Sequence, residues 1–526
     1  MNICVINTGG TISCVGEPLA PMSAATFATA AQAMLDPIIA EQLSNVTLTY
    51  ETSLIFPESS TGTLDSTNLQ PSDWCLMAEF ILNNYAAFDG FVILHGTDSM
   101  DFTGAALPFL LNVFDSRGFG RAVLSKPVIV TGSQVPMFYA VPGSTTPSKI
   151  NFNTDAFQNF CGAVACAALA IPEVCVYFAS RLYRGNRSMK VNASEFPAFA
   201  TPNYPPLARY GIELDLYRDV MLPGPVSSDI SLDSPTALAL AKNQLASITG
   251  AIDGFPVMQF NAFPAPYSVS AGTGVIANLI DACVGQGIKG LVLESYGEGN
   301  FPSGNPDTPA SGAIYKALQS ANAGGTVIVD CTQVMAGTVN DSAYASGAWL
   351  PSVGALSGAD MTPMAGLAKT MILLAAGASN GWTLETIKTL IQLNLAGEVL
   401  NVSRLDSRTN AWLLPGQSIT ALDGSATLLN DPTNGPVLSG SDGSFLWSPS
   451  GSATSGQAGR LVVQNDGNLV LRSFDNSPLW ATNTGNPAGA SSALMLEGSW
   501  AKSGGSLSLS LYDYSGQQTS AVLFHQ

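Results

Sequence analysis

"FVILHGTDSMDF", residues 91–102, decides the fold. Four apolar residues run without interruption into His-Gly-Thr-Asp, and a helix-like pattern begins at once. A run that is apolar on both faces belongs to a strand covered by helices on each side. The same grammar recurs in "ICVINTGG" (3–10), "PVIVTGSQ" (127–134), "VCVYFASR" (174–181), "LVLESYGEG" (291–299) and "VIVDCTQV" (327–334). Each run ends in glycine or small polar residues and is followed by a helical pattern, which predicts an α/β fold with parallel sheets. Ligands of such sheets bind beyond the carboxyl ends of the strands. Thr97 and Asp98 fall there.

The composition narrows the choice of partner. The chain has 526 residues, a formal charge of −18 and only 11% charged residues, against about 25% in ordinary soluble domains. An acidic surface repels phosphate backbones, so no nucleic-acid partner is expected. The longest apolar run, "AVACAALAI" from Ala163, stops at Pro172 and Glu173, far short of the roughly 20 residues that span a membrane. No membrane partner is expected. The opening "MNICVINTGG" reads as a strand and not as a secretory signal, which points to the cytoplasm. Eight cysteines, all between Cys4 and Cys331 and in no CxxC spacing, read as reduced core thiols.

A chain of this length holds roughly three domains. The first four strands precede the Pro-rich stretch "FPAFATPNYPPLARYG" (196–211), which reads as the approach to a linker. Residues 1–210 are therefore assigned to a first α/β lobe and 211–405 to a second. From about residue 415 the texture changes to Gly, Ser and Asn with short alternating runs such as "LVVQNDGNLVLRSF" and "SLSLSLYDYSG". Residues 415–526 are read as an all-β domain. Within it, "SFLWSPSG" (444–451) and "SPLWATNTG" (477–485) place Trp447 and Trp480 33 residues apart in similar surroundings. Such a repeat implies related β subunits.

In "INTGGTIS" (6–13), Gly9 and Gly10 let the backbone turn sharply and approach a ligand closely. Thr11 follows as a candidate nucleophile, and Thr97 beside Asp98 supplies a second strand-end hydroxyl. Competing chemistry lacks its parts. "GASNG" (377–381) fits G-x-S-x-G but reads as a helix end. His95 and His525 are the two histidines, which nearly excludes Ser-His or Cys-His catalysis and a histidine metal site. His95 is read as a hydrogen-bonded core residue.

Seven motifs then occur in order: "TGGTI" (8–12), "LDSTNLQPSDW" (64–74), "ILHGTDSMDFT" (93–103), "KPVIVTGSQVP" (126–136), "RLYRGNRSMK" (181–190), "SYGEGN" (295–300) and "GADMT" (358–362). Over about residues 1 to 400 the chain resembles the bacterial-type L-asparaginases, in particular their cytoplasmic type I branch. The resemblance implies the two-lobed asparaginase fold and hydrolysis of L-asparagine, with no cofactor and no metal. It implies Thr11 as the nucleophile that forms an acyl-enzyme. Thr97, Asp98 and Lys190 would form a second triad, in which a buried lysine oriented by the aspartate serves as base for the threonine or for water. Which threonine attacks first stays open. Asp65 and Ser66 match the substrate pocket. Asn300 matches a residue contributed across a subunit interface, which implies a homo-oligomer, dimer or tetramer. Where many members carry a lid tyrosine this chain has Leu19, and Tyr344 is the second-choice replacement. The alternative is a weak or inactive scaffold acting mainly as a carbohydrate- or protein-binding protein.

The tail has a resemblance of its own. "QNDGNLVL" (464–471), followed by "LWATNTG", is similar to the mannose-binding signature of the monocot bulb-type lectins. This implies a β-prism in which Gln464, Asp466 and Asn468 hydrogen-bond a mannose-type glycan. Arg472 stands where those lectins have tyrosine, and the other two subdomains carry no copy of the motif. A lectin and a structural or protein-binding prism both remain open.

Overall fold

In the computed structural model, which describes every residue except 142, 341–342, 410, 450–458 and 487–490, the apolar runs pair into two sheets. The first has eight strands in the order Leu214–Leu216, Ala208–Tyr210, Arg181–Arg184, Val174–Phe178, Val128–Thr131, Gly90–Leu94, Asn2–Asn7 and Thr47–Glu51. The last five are parallel. Phe91 through Leu94 are wholly buried, which is why their sequence shows no polar alternation. The register pairs Asn7 with Leu94 and Leu94 with Thr131. Three strands thus end flush, and the polar residues after each emerge side by side.

The first sheet is mixed, where the sequence reading expects parallel sheets. Ala179 and Ser180 adopt left-handed backbone conformations (φ 47° and 63°) and return the chain directly into Arg181–Arg184, antiparallel to its neighbour. A parallel continuation needs a crossover of a dozen or more residues, and a two-residue turn leaves no room for one. The Pro-rich stretch read as the approach to a linker carries two short strands, Phe199–Ala200 and Ala208–Tyr210, the second of them in this sheet.

The second sheet, Val257–Asn261, Gly290–Ser295, Val327–Thr332 and Ala355–Ser357, is parallel throughout. Both sheets lie in one compact unit, Met1–Gly224 with Ser231–Glu398. Its lobes are joined around "RLYRGNR". Arg187 is 1% exposed; it pairs with Asp360 and donates to the Glu398 carbonyl at 2.6 Å. Asn186 donates to the Ala396 carbonyl at 2.9 Å, and Arg184 binds Glu173 at 2.6 Å. These buried partners account for the "GADMT" motif as well: Asp360 holds Arg187, and Thr362 caps helix Pro363–Asn380 through the Ala365 amide. "GASNG" closes that helix, with Gly381 in the left-handed cap. The eight cysteines are free thiols. Among the described residues, no helix is long and apolar enough to cross a membrane.

The second unit, Val399–Gln526 with Pro225–Ile230, contains three four-stranded antiparallel sheets. Trp447 and Trp480 occupy the fourth strand of two of them and meet edge to face, their ring centroids 6.3 Å apart. The 33-residue spacing therefore reflects equivalent places in two sheets; residues 450 and 451 of the first copy lie outside the described residues. Among the described residues, sixteen buried aliphatic side chains from the three sheets and their connections, Leu405 to Leu511, form one core.

Candidate active site

The flush strand ends create the site. After Asn7 the chain crosses to Leu64, whose carbonyl accepts from the Gly10 amide at 3.0 Å. Gly9 sits at φ 119°, and a Cβ there would lie 2.0 Å from the Leu64 oxygen. A Cβ on Gly10 would lie 2.2 Å from the Gly96 Cα, and one on Gly96 would lie 2.4 Å from Ser66 Oγ. Only glycine allows three loops to approach this closely. As a result Thr11, half-buried at the start of a short 3₁₀ turn (Thr11–Ser13), is next to the loop carrying Thr97.

Lys190 Nζ donates to Thr97 Oγ1 at 2.9 Å and to Asp98 Oδ1 at 2.6 Å. Thr97 is 6% exposed. The resemblance implies a buried lysine, but the Lys190 side chain is 20% exposed and that of Asp98 54%. Asp98 lies past the end of strand Gly90–Leu94, and Lys190 ends the two-residue strand Met189–Lys190. The arrangement is that of a nucleophile hydroxyl, an amine base and a carboxylate that orients the amine.

Ser66 is 2% exposed, and its hydroxyl has no hydrogen-bond partner. A buried hydroxyl left unpaired carries a desolvation cost and is ready to receive a ligand group. Asp65, by contrast, is exposed, and its Oδ1 accepts from the Thr67 amide and hydroxyl, each at 3.0 Å. His95 is closed to chemistry. Its Nδ1 lies 2.6 Å from the Gly96 carbonyl and its Nε2 2.8 Å from Thr103 Oγ1, and burial holds its pKa down to about 4. Because a carbonyl only accepts, Nδ1 carries the hydrogen and Nε2 accepts from Thr103.

Sequence reasoning missed three residues. Gln134 accepts from Thr97 Oγ1 at 3.4 Å. Asp101, 2% exposed, accepts from the Lys190 amide at 3.0 Å, and burial raises its carboxyl above the usual range. Asp155 receives the amides of Gln134 and Val135. The first two sit inside quoted motifs, Gln134 just past the strand Val128–Thr131 and Asp101 in the first turn of helix Met100–Leu110, and that position was the signal available. Among the described residues, no group of three or more His, Cys, Asp or Glu side chains is gathered as a metal would require.

Family comparison agrees with this geometry. The model for the N-terminal asparaginase domain matches residues 2–222, and that for the glutaminase/asparaginase C-terminal domain matches 269–390. L-asparaginase 1 of Escherichia coli (strain K12) is 35% identical over 340 residues, 64% of this chain and 83% of that protein. The chain belongs to the bacterial-type L-asparaginase family. It is accordingly an enzyme, a hydrolase acting on an amide. The 60 kDa lysophospholipase of Mus musculus is 32% identical over 336 residues, 64% of this chain and 49% of that protein. The crystal structure of L-asparaginase I from Vibrio cholerae O1 biovar eltor str. N16961 superposes with a TM-score of 0.54 at 29% identity, covering 76% of this chain and 98% of that one.

In the second asparaginase lobe, Asn300 Oδ1 accepts from Ser346 Oγ at 2.8 Å. Tyr344 is 55% exposed and lines a cavity of about 390 Å³ with Phe301, Ser346 and Trp349. Among the described residues, no hydrogen bond joins Asn300 or Tyr344 to Thr11, Thr97 or Lys190. The single chain thus groups these two with each other and not with the triad. Leu19 is 56% exposed on the turn between Cys14–Val15 and Ala20–Pro21, where it shares a cavity of about 400 Å³ with Tyr139.

In the β unit, Gln464 to Asn468 form the turn between Arg460–Val463 and Leu469–Arg472. Asp466 Oδ1 accepts from the Asn468 amide at 3.0 Å, and Asn468 Oδ1 accepts from Thr482 Oγ1 at 3.0 Å. The turn is therefore rigidly braced, and all three side chains are half-buried.

Proposed function

We propose that this protein hydrolyses L-asparagine to L-aspartate and ammonia through a threonine acyl-enzyme. The observation that carries the reading is the Lys190 amine bound to both Thr97 and Asp98, beside the glycine turn that presents Thr11. In the proposed cycle a threonine hydroxyl, Thr11 by family analogy, attacks the side-chain amide carbonyl, and ammonia departs with a proton delivered within the site. Water then cleaves the ester. Lys190 accepts the proton from Thr97 or from that water, and Asp98 balances the charge it acquires. The unpaired Ser66 hydroxyl meets the α-carboxylate, with Asp65 beside it. Asn300 completes the pocket from a neighbouring copy, so the working form is a homo-oligomer, dimer or tetramer, located in the cytoplasm. Tyr344 belongs to that same contribution.

The test is ammonia release from L-asparagine by the purified full-length protein, with Thr11→Ala expected to abolish it. A wild type that releases none, and a variant that behaves the same, would leave the hydrolase reading without support. One observation favours the second reading, a weak scaffold whose work lies in binding: Leu19 stands exposed where the lid tyrosine is expected.

For the tail we propose a lectin-like β-prism that binds a mannose-type glycan through Gln464, Asp466 and Asn468. Three four-stranded sheets around one core support the prism, and the braced turn supports the site. Full-length protein should retain mannosides on a glycan array, and Asp466→Ala should lose them while leaving ammonia release unchanged. Equal signals from the two proteins would point to a structural or protein-binding role.

A further inference from the structure

We propose that Gln134 is a positioning residue for the Thr97–Lys190 pair: its side-chain carbonyl takes the Thr97 hydroxyl hydrogen, turns the hydroxyl lone pair toward Lys190, and so favours the arrangement in which Lys190 donates to Thr97. The inference deepens the hydrolase reading above and rests on it for the role of Lys190.

The Glu195 carbonyl fixes which end of the Gln134 amide faces Thr97. Gln134 Nε2 lies 3.2 Å from the backbone carbonyl of Glu195. A carbonyl only accepts, so the amide NH₂ must face it, and the Gln134 oxygen must face Thr97, at 3.4 Å. That oxygen only accepts as well, so the Thr97 hydroxyl is the donor to it. Lys190 Nζ then meets the hydroxyl from its lone-pair side at 2.9 Å, which suits an ammonium donor. For Lys190 to take the Thr97 proton, the O–H bond must leave Gln134 and swing to the neutral amine. Gln134 therefore favours one of the two states through which the pair must pass.

The residue is built to hold this position. Asp155 accepts the Gln134 amide through both oxygens, at 3.1 and 3.0 Å, and the Val135 amide at 3.0 Å. Asn159 ties Asp155 in turn at 3.2 Å. The Glu195 carbonyl belongs to the loop that follows Lys190, so one side chain spans the strand end at Thr131 and the segment carrying the lysine. The other charged groups facing Lys190 are Asp98 on its amine and Asp101 on its backbone amide. Asp155 lies behind Gln134, and the Glu195 side chain is exposed.

Two substitutions push in opposite directions. Gln134→Met removes the acceptor, frees the hydroxyl to donate to a neutral amine, and should lower the pH at which Lys190 loses its proton. Gln134→Glu places a carboxylate one hydroxyl away and should raise it by about one pH unit or more. The readout is labelling of Lys190 by acetic anhydride as a function of pH in the intact protein, followed by mass spectrometry of its peptide, because only the neutral amine reacts. The acid limb of kcat for L-asparagine should move with it. Opposite displacements support the proposal. Midpoints that coincide with wild type, or that move the same way in both variants, overturn it; loss of a purely structural contact would not split them. Absence of ammonia release from the wild type would sink the hydrolase reading alone, since the labelling still decides the coupling.

Discussion

Lys190→Met is expected to reduce asparagine turnover by about 10²–10⁴-fold, the range of a general base, while the protein stays folded. The two halves of this prediction have separate causes. Turnover falls because, among the described residues, no other amine is bound to Thr97, and His95, the histidine beside it, has both ring nitrogens engaged in the core. Folding survives because the partner left behind is not stranded. Asp98 is 54% exposed, so water solvates its carboxylate once the ammonium is gone, and a half-exposed pair contributes little to stability. The Lys190 amide, which Asp101 holds, is retained in methionine. Steady-state ammonia release and a thermal melt on the same preparation decide the matter. Retention of more than about a tenth of the rate would rule out a base role, and a collapsed melting curve would show that the ion pair is structural.

The parts of this site that were legible in the sequence share a cause. Apolar runs covered on both faces, each punctuated by glycine or small polar residues, mark strand ends, and Thr11, Thr97 and Asp98 are the polar residues just beyond them. What was not legible depends on contacts between distant segments. Gln134 is defined by Thr97 and by a carbonyl 61 residues further on, and Asp101 by an amide 89 residues away. Gln134 lies in the loop after Val128–Thr131 and Asp101 in the first turn of helix Met100–Leu110, and neither place by itself marks a partner. The antiparallel edge of the first sheet was hidden for another reason: the two-residue turn at Ala179–Ser180 uses positive φ at residues that do not advertise it. In the tail, the two sheets sharing a tryptophan could be matched from their spacing. The third could not, because its first strand, Arg404–Asp406, pairs with Ser492–Glu497, on the far side of the other two sheets in the chain. Asn300 and Tyr344 show the limit of a single chain: among the described residues no hydrogen bond joins either to Thr11, Thr97 or Lys190.

Lys369→Met is expected to destabilise the asparaginase lobes by about 3–5 kcal/mol near neutral pH, the cost of breaking a buried ion pair from one side. Lys369 and Glu398 are both fully buried and lie 2.5 Å apart. The lysine also donates to the carbonyls of Ile391 and Leu393, at 2.7 and 2.5 Å, and Glu398 accepts the amides of Leu395 and Ala396, at 3.0 and 2.7 Å. Burial pushes the Glu398 carboxyl upward, but the ammonium and the amides outweigh it and hold the group below its ordinary value. In the wild type this group therefore contributes stability above the unfolded pKa, lost as pH falls through the lower folded one. Without the ammonium, burial acts against the charge with less opposition and the folded carboxyl moves upward, so the variant gains relative stability as the medium turns acidic. The difference between the two proteins should thus be largest near pH 7 and shrink toward pH 4 to 5, as about the unfolded carboxyl range is approached. Adding Glu398→Gln should restore part of the loss by removing the unpaired charge. The consequence reaches the active site because the Glu398 carbonyl holds Arg187, three residues before Lys190 on the same short segment. Denaturant midpoints measured across pH for the single and double variants test each step. A Lys369→Met midpoint equal to wild type at pH 7, or a deficit that grows on acidification, would refute a stabilising role for this buried pair.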